Sequence, residues 1–166
     1  MPHYRDVQAF DERAPRYETG WRGKLHQDIV ERTAAIALGC APGARRVLDV
    51  GCGTGQLLRI LAGGLPCDAV LEGIDPAPAM VEAAKSLASP SPPIRVQVGV
   101  AEHLPFSDAV FELVVSTTSF DHWEDQCAGL RECARVLAPG GCFILADQFS
   151  GWLAPTLLAP PLHAAI

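Results

Sequence analysis

Lysine is almost missing from this chain, with Lys24 and Lys85 the only two. Thirteen basic side chains stand against 19 acidic ones, the net charge is −6 and the isoelectric point is near 5.3. Holding nucleic acid through a broad surface needs clustered Lys and Arg to neutralise phosphates, so that class of partner is excluded. Metal-binding spacing is lacking as well. Cys40, Cys52, Cys67, Cys127, Cys133 and Cys142 form no C-x-x-C pair and no Cys/His pattern, so no metal is expected and all six read as buried thiols. The amino terminus, with His3, Arg5, Asp6, Asp11, Glu12 and Arg13, has no secretory apolar region, and no apolar run is long enough to span a bilayer. The expectation is a chain without a membrane span, in a reducing cytoplasm.

What is present suffices for one packed domain over residues 1–166. Hydrophobic residues make up 49%, charged residues 19%, and the mean hydropathy is +0.17, a globular rather than a disordered composition. A chain of this length buries roughly 68–70% of its unfolded-state surface.

Residues 1–23 are polar and punctuated by Pro2, Pro15, Gly20 and Gly23, after which Leu25, Ile29, Ile36 and Leu38 recur at helical spacing up to Gly39. Residues 46–50 read as a strand that runs into glycines and then into the helical pattern Leu57, Leu58, Ile60, Leu61. A second strand covers 69–74, and Asp75-Pro76 opens a helix through Met80, Val81, Ala84 and Leu87. Residues 94–98, 111–116 and 142–146 complete five strands, with a helix over 127–137 before the last. Such alternation predicts an α/β, doubly wound, mostly parallel sheet. Residues 1–40 form a lid and first helix, and residues 41–150 form the core. Residues 153–166, rich in Pro, Ala and Leu, follow no pattern.

The sharpest chemical signal is V-L-D-V-G-C-G-T-G at residues 47–55. A chain leaving a strand must turn sharply there, and glycines let a ligand lie against bare backbone ahead of a helix. A dinucleotide fingerprint is spaced G-x-G-x-x-G to set pyrophosphate on the helix dipole. This loop is G-x-G-x-G, with Asp49 two residues before its first glycine. A carboxylate there repels pyrophosphate and suits an ammonium group.

With these residues the chain resembles the S-adenosylmethionine (SAM)-dependent methyltransferases of the Rossmann-like class, in particular the small-molecule and quinone-biosynthesis branch. The family's later signatures match G-I-D-P at 73–76, A-E-H-L-P-F at 101–106 and V-L-A-P-G-G at 136–141, in order. The resemblance implies five parallel strands in the order 3-2-1-4-5 and SAM as cofactor. Asp49, Gly51, Cys52, Gly53, Thr54 and Gly55 would hold the methionine moiety. Asp75 and Pro76 would hold the ribose, and Met80, Ala101 and Glu102 the adenine. Where relatives commonly carry an acid that binds the adenine amino group, this chain has Val100. Asp108 reads as a turn residue.

Ligands in this fold sit outside the carboxyl ends of the strands, which brings S-T-T-S-F-D-H-W at 116–123 to the methyl group. Ser116 is a candidate cofactor contact. His122 is a candidate general base, since an imidazole titrates near working pH. The absence of an Asn/Asp-Pro-Pro-Tyr/Phe motif argues against methylation of DNA bases. F-D-E-R-A-P-R-Y at 10–17 resembles the family's lid, with Tyr17 beside the methionine moiety and Trp21 and His26 over the substrate. The expected reaction is methyl transfer to a small-molecule acceptor. Alternatives are a silent SAM-binding subunit, a nicotinamide-dependent oxidoreductase and a polyamine-forming aminopropyltransferase. Relatives continue past the fifth strand with a helix and an antiparallel pair. That pair is apparently absent here, so the expectation is a fragment of a longer protein or an edge covered by residues 153–166 or by a second copy in a homodimer.

Overall fold

A computed structural model describes residues 7–88 and 91–147. The chain runs through helix α1 (Val7–Arg13), a 3-10 turn (Ala14–Arg16), α2 (Gly20–Cys40), β1 (Arg46–Val50), α3 (Gln56–Ala62), β2 (Val70–Asp75), α4 (Pro78–Leu87) and β3 (Ile94–Val98). It continues through β4 (Phe111–Thr117), a 3-10 turn (Phe120–His122), α5 (Gln126–Val136) and β5 (Leu137–Ala146). The strands form one sheet in the order β3-β2-β1-β4-β5, every neighbouring pair parallel. This is the order implied by the sequence. What was expected of residues 153–166, and of an antiparallel pair beyond β5, lies outside the described residues.

The central strands are apolar on both faces because helices cover both. In β1, Val47 faces a core built with α2, α3 and α4, whose members include Val30, Ala34, Leu58, Leu61 and Val81. Its neighbour Leu48 faces the opposite core, with Phe111, Val114, Trp123, Cys133 and Val136. Alternation along a pleated strand divides them, and burial on both sides explains the continuous apolar runs. Edge strand β3 buries only Val96.

Three elements differ from the sequence-based reading, each for a tertiary reason. Residues 7–16 are helical although their pattern is polar, because Val7, Phe10, Ala14 and Tyr17 pack on Ala77 and Met80 of the α4 region. Helix α4 begins at Pro78 rather than Pro76, and Asp11 of α1 accepts a hydrogen bond from Ala79 N at 2.8 Å, satisfying one of its free N–H groups from a distant part of the chain. Strand β5 begins at Leu137, directly after α5, and a register shift opposite Phe111–Leu113 absorbs the glycines. Gly141 is needed there, since a Cβ would lie 2.8–3.0 Å from Leu137, Ala138 O and Glu112 O.

The cysteines also depart from expectation. Cys40, at the end of α2, is disulfide-bonded to Cys142 of β5, and of the remaining four only Cys52 and Cys133 are buried. Cys67 and Cys127 are exposed, on a loop and on the outer face of α5's first turn. Spacing cannot reveal a pairing between residues 102 positions apart. No helix among the described residues is long and apolar enough to cross a membrane.

A closed loop of that length restricts the unfolded chain, so reduction is expected to lower the unfolding free energy by about 2–4 kcal/mol. Alkylation of the denatured protein should label the four free thiols without reductant and all six cysteines after reduction. Labelling of all six at the outset would show that the bond is not formed.

Candidate functional site

The carboxyl ends of β1, β2 and β4 open into a common cleft lined by Asp49, the glycine loop, Asp75 and Thr117 to Ser119. The loop after β1 is shaped by the end of β2. Gly51 N and Cys52 N both donate to Ile74 O, at 2.7 and 3.0 Å, and Gly53 N donates to the Asp75 carboxylate at 2.8 Å. The second Asp75 oxygen accepts from Ala77 N at 2.9 Å. Asp75 is thus only 8% exposed and a structural tie between the two βα turns. Gly53 has φ +52 and faces the cleft, where the nearest atom to an added Cβ would be Cε1 of Tyr17 at 4.0 Å. Its backbone angle and its place at the lip both call for glycine.

The electrostatics of the cleft are those of a site awaiting a cation. Asp49 is 2% exposed, and among the described residues its Oδ1 has no hydrogen-bond partner. Burial, and then the charge of Asp75, push its pKa up to about 8. Burial likewise raises Asp75, against which the N–H bonds from Ala77 and Gly53 work in the opposite direction. Gln56 Oε1 and Thr117 Oγ1 line the same cleft and are also buried without partners. Two orphaned oxygens in the same cleft as an orphaned carboxylate oxygen suit an ammonium or sulfonium group, whose positive charge would restore Asp49 to its ionised form.

A lid closes the cleft. The segment from α1 to the start of α2 lies across the glycine loop, fastened by the Asp11 bond to α4 and by Glu18, whose Oε1 accepts from Thr54 Oγ1 at 2.5 Å and from Arg59 at 2.7 Å. The cavity beneath is narrow, about 70 Å³. Outside it lies a wider chamber of about 640 Å³, lined by lid residues Phe10, Arg13 and Arg16 and by Asp121, His122 and Asp147 across from them. Tyr17 is in contact with both spaces. Its phenol is held above the ordinary value, chiefly by burial and then by Asp75.

Most of the residues expected from sequence converge here. Tyr17, Asp49, Gly51, Cys52, Gly53, Thr54, Asp75, Pro76, Met80, Ala101 and His122 all line the cleft. Three do not. Gly55 is the left-handed N-cap of α3 and backs onto Ala84. Glu102 accepts from Asp125 N at 3.0 Å and so serves the start of α5. Ser116 is fully buried, with its hydroxyl 2.8 Å from that of Ser119. Strand alternation turns Ser116 away while Thr117 reaches the cleft, and a count of alternating positions in β4 could have found this. Val100 pairs with His103, leaving Gly99 and Ala101 at the lip. Asp108 accepts from Arg135 at 2.8 Å, which also binds the carbonyls of Leu104 and Phe106 and braces that loop. Phe10, His26, Val30, Gln56 and Thr118 line the cleft without having been singled out as cofactor contacts. Gln56 was legible as the first residue after the glycine loop, Phe10 as part of the lid and His26 as a residue over the substrate, whereas Val30 arrives through tertiary packing. The side chain of Trp21 lies outside the described ones.

Residues 48–145 match the family model described as "Methyltransferase domain". The chain is 38% identical over 136 residues to a demethylmenaquinone methyltransferase of Deinococcus radiodurans, covering 81% of this chain and 56% of that protein. It is 35% identical over 122 residues to a malonyl-[acyl-carrier protein] O-methyltransferase of Geobacter sulfurreducens, covering 74% and 45%. Among solved structures, the YcgJ protein of Bacillus subtilis superimposes with a TM-score of 0.65 at 30% identity, over 72% of this chain and 52% of that one. The chain thus spans about half the length of these relatives.

The raised Asp49 makes ligand-free stability fall with rising pH. Its folded-state pKa, about 8, lies above its ordinary 3.8, so the folded protein holds a proton that the unfolded chain releases between those values. Asp49→Asn removes this penalty. In urea unfolding, the variant's advantage over the parent is expected to grow by about 2 kcal/mol or more between pH 5 and pH 8.5. An advantage that does not change with pH would mean that Asp49 ionises as an exposed carboxyl does.

Proposed function

The chain belongs to the methyltransferase-domain family, and from that premise we propose that it transfers a methyl group from S-adenosylmethionine to a small-molecule acceptor by in-line displacement. The observation that carries this reading is the buried, unpartnered Asp49 beside the glycine cradle and Asp75. SAM would supply an electrophilic methyl carbon on a positively charged sulfur. Asp49, with Gln56 and Thr117, would receive its ammonium group, and the backbone of Gly51, Cys52 and Gly53 would support the methionine chain under Tyr17. Each Asp75 oxygen already accepts one N–H and keeps a lone pair for a ribose hydroxyl. Gly99, Ala101, Pro76 and Met80 would enclose the adenine. Thr54 would act through the lid, since its hydroxyl holds Glu18.

The protein's share of catalysis is alignment in a dry cleft. The narrow inner cavity implies that the lid must lift for loading, breaking the Asp11 and Glu18 ties, and close again before transfer. An outer chamber of about 640 Å³ is the size of a small-molecule site. The acceptor would enter there and meet His122 as a hydrogen-bond partner. A nicotinamide dinucleotide fits less well, because the pyrophosphate would face Asp49 and Asp75.

Calorimetry with SAM, S-adenosylhomocysteine and NAD, followed by transfer of labelled methyl from SAM into a metabolite extract, tests cofactor and acceptor in turn. Asp75→Ala should weaken SAM binding about ten- to hundredfold, the loss of one or two charge-assisted bonds, and should also lower stability because Gly53 N and Ala77 N lose their acceptor. An unchanged dissociation constant would remove Asp75 from the ribose site. For His122→Ala the expected result is reduced transfer with SAM affinity unchanged. Equal loss of both would move His122 into the cofactor site.

A further inference from the structure

Phe10, Tyr17, His26, Thr118 and His122 line both the inner cleft and the outer chamber. Their side chains form a collar. Ring contacts pass from His122 to Phe10 with centroids 5.0 Å apart, from Phe10 to Tyr17 at 6.3 Å and from Tyr17 to His26 at 5.1 Å. His26 Nδ1 then lies 3.2 Å from Thr118 Oγ1, on the loop that leads back to His122. On the methyl-transfer reading, a methyl group held in the cleft and an acceptor arriving from the chamber would meet inside this collar, which makes its members candidates for the acceptor's proton.

Few of them can take it. Phe10 has no basic atom, and the Thr118 hydroxyl is not a base near neutral pH. Tyr17 keeps its proton, held there by burial and by Asp75. His122 is on the rim, with Nε2 3.4 Å from the Asp121 carboxylate. His26 is half-buried on α2, and among the described residues its Nε2 makes no hydrogen bond.

His26 Nδ1 meets the Thr118 hydroxyl oxygen at 3.2 Å, and with that oxygen accepting from Nδ1–H the lone pair of the neutral ring lies on Nε2. Thr118 is fixed for this task by a left-handed backbone, φ +52, and by its N–H bond to Ala146 O at 2.7 Å.

Resting on the methyl-transfer reading above, we propose that His26 Nε2 is the proton acceptor of the reaction, with Thr118 and Tyr17 as positioning residues, and that the substrate is a protic acceptor such as a hydroxyl compound. The acceptor's lone pair forms the bond to the methyl carbon, the carbon–sulfur bond breaks with its electrons on sulfur, and the acceptor's proton moves to Nε2. The positive charge that begins on sulfur ends on the imidazolium, which releases its proton to water in the chamber. Net charge in the site is unchanged.

For this the ring must start neutral, and burial lowers its pKa below 6.5, with Glu18 opposing. The other charged groups around it are Glu12, Arg13 and Arg16 on the lid side of the chamber, and Asp121, His122 and Asp147 opposite. Asp49 and Asp75 face it from the cleft.

The test compares SAM with S-adenosylhomocysteine, which differs at the reacting atom by the methyl and its positive charge. Histidine signals of isotopically labelled protein are titrated by NMR in both complexes, with His26 assigned by its disappearance in His26→Asn. The expected results are a bare Nε2 in the neutral ring and a His26 pKa lower with SAM than with S-adenosylhomocysteine by about half a pH unit or more, the repulsion of two cations some 6 Å apart in a solvent-like medium. Equal pKa values in the two complexes, or a hydrogen on Nε2 of the neutral ring, would overturn the proposal and leave the cofactor reading standing. Absence of any response to SAM would overturn both.

Discussion

Two carboxylates buried at the ends of adjacent strands, with no cationic side chain paired to either among the described residues, set the terms for the rest of this molecule. Asp49 ends up in the cleft because β1 is central and covered on both faces, so every side chain it carries after Arg46 is removed from water. Asp75 follows from the register of β1 and β2, which pairs Val50 with Ile74 and leaves the next residue of β2 level with the glycine loop. Asp75 offsets part of its burial by accepting two backbone N–H groups and in doing so shapes the loop. Asp49 has no such relief. A folded state that carries this cost and places it beside a glycine turn is organised for a positively charged ligand.

The lid belongs to the same arrangement. Its anchor points are Asp11 on α4's amino end and Glu18 on Thr54 and Arg59, so it is tied to the glycine loop and to the two helices that follow β1 and β2. Tyr17 lies between those anchors, and its ring contacts with Phe10 and His26 extend the lid into the collar. A ligand that displaced the lid would therefore alter the mouth through which an acceptor enters. The inner cleft and the outer chamber share their walls.

Away from the cleft the structure is braced where strands give way to loops. Arg135 joins Glu132, Asp108 and two loop carbonyls, and Glu132 in turn accepts from Leu104 N, so the loop between β3 and β4 is held by α5. Glu112 accepts from the N–H groups of Arg45 and Arg46 at the start of β1. The Cys40–Cys142 bond ties α2 to the edge strand β5. That bond departs from the thiols expected in a reducing compartment.

By itself the sequence determined the strands, their order through the family resemblance, the glycine turn and both carboxylates, because these are written in local signals: apolar runs, residues that permit a sharp turn, and charges at strand ends. Tertiary structure decided what depends on residues far apart in the chain. It made a helix of polar residues 7–13 by supplying Ala77 and Met80 as a packing surface, moved the start of α4, and joined Cys40 to Cys142. It turned Ser116 and Glu102 to other partners while bringing His26 against Thr118, 92 positions away. Local patterns state which face a residue belongs to. Which atoms meet across that face is settled only when helices, strands and lid pack together, since hydrogen bonds and ring contacts depend on differences of about an ångström that periodicity does not encode.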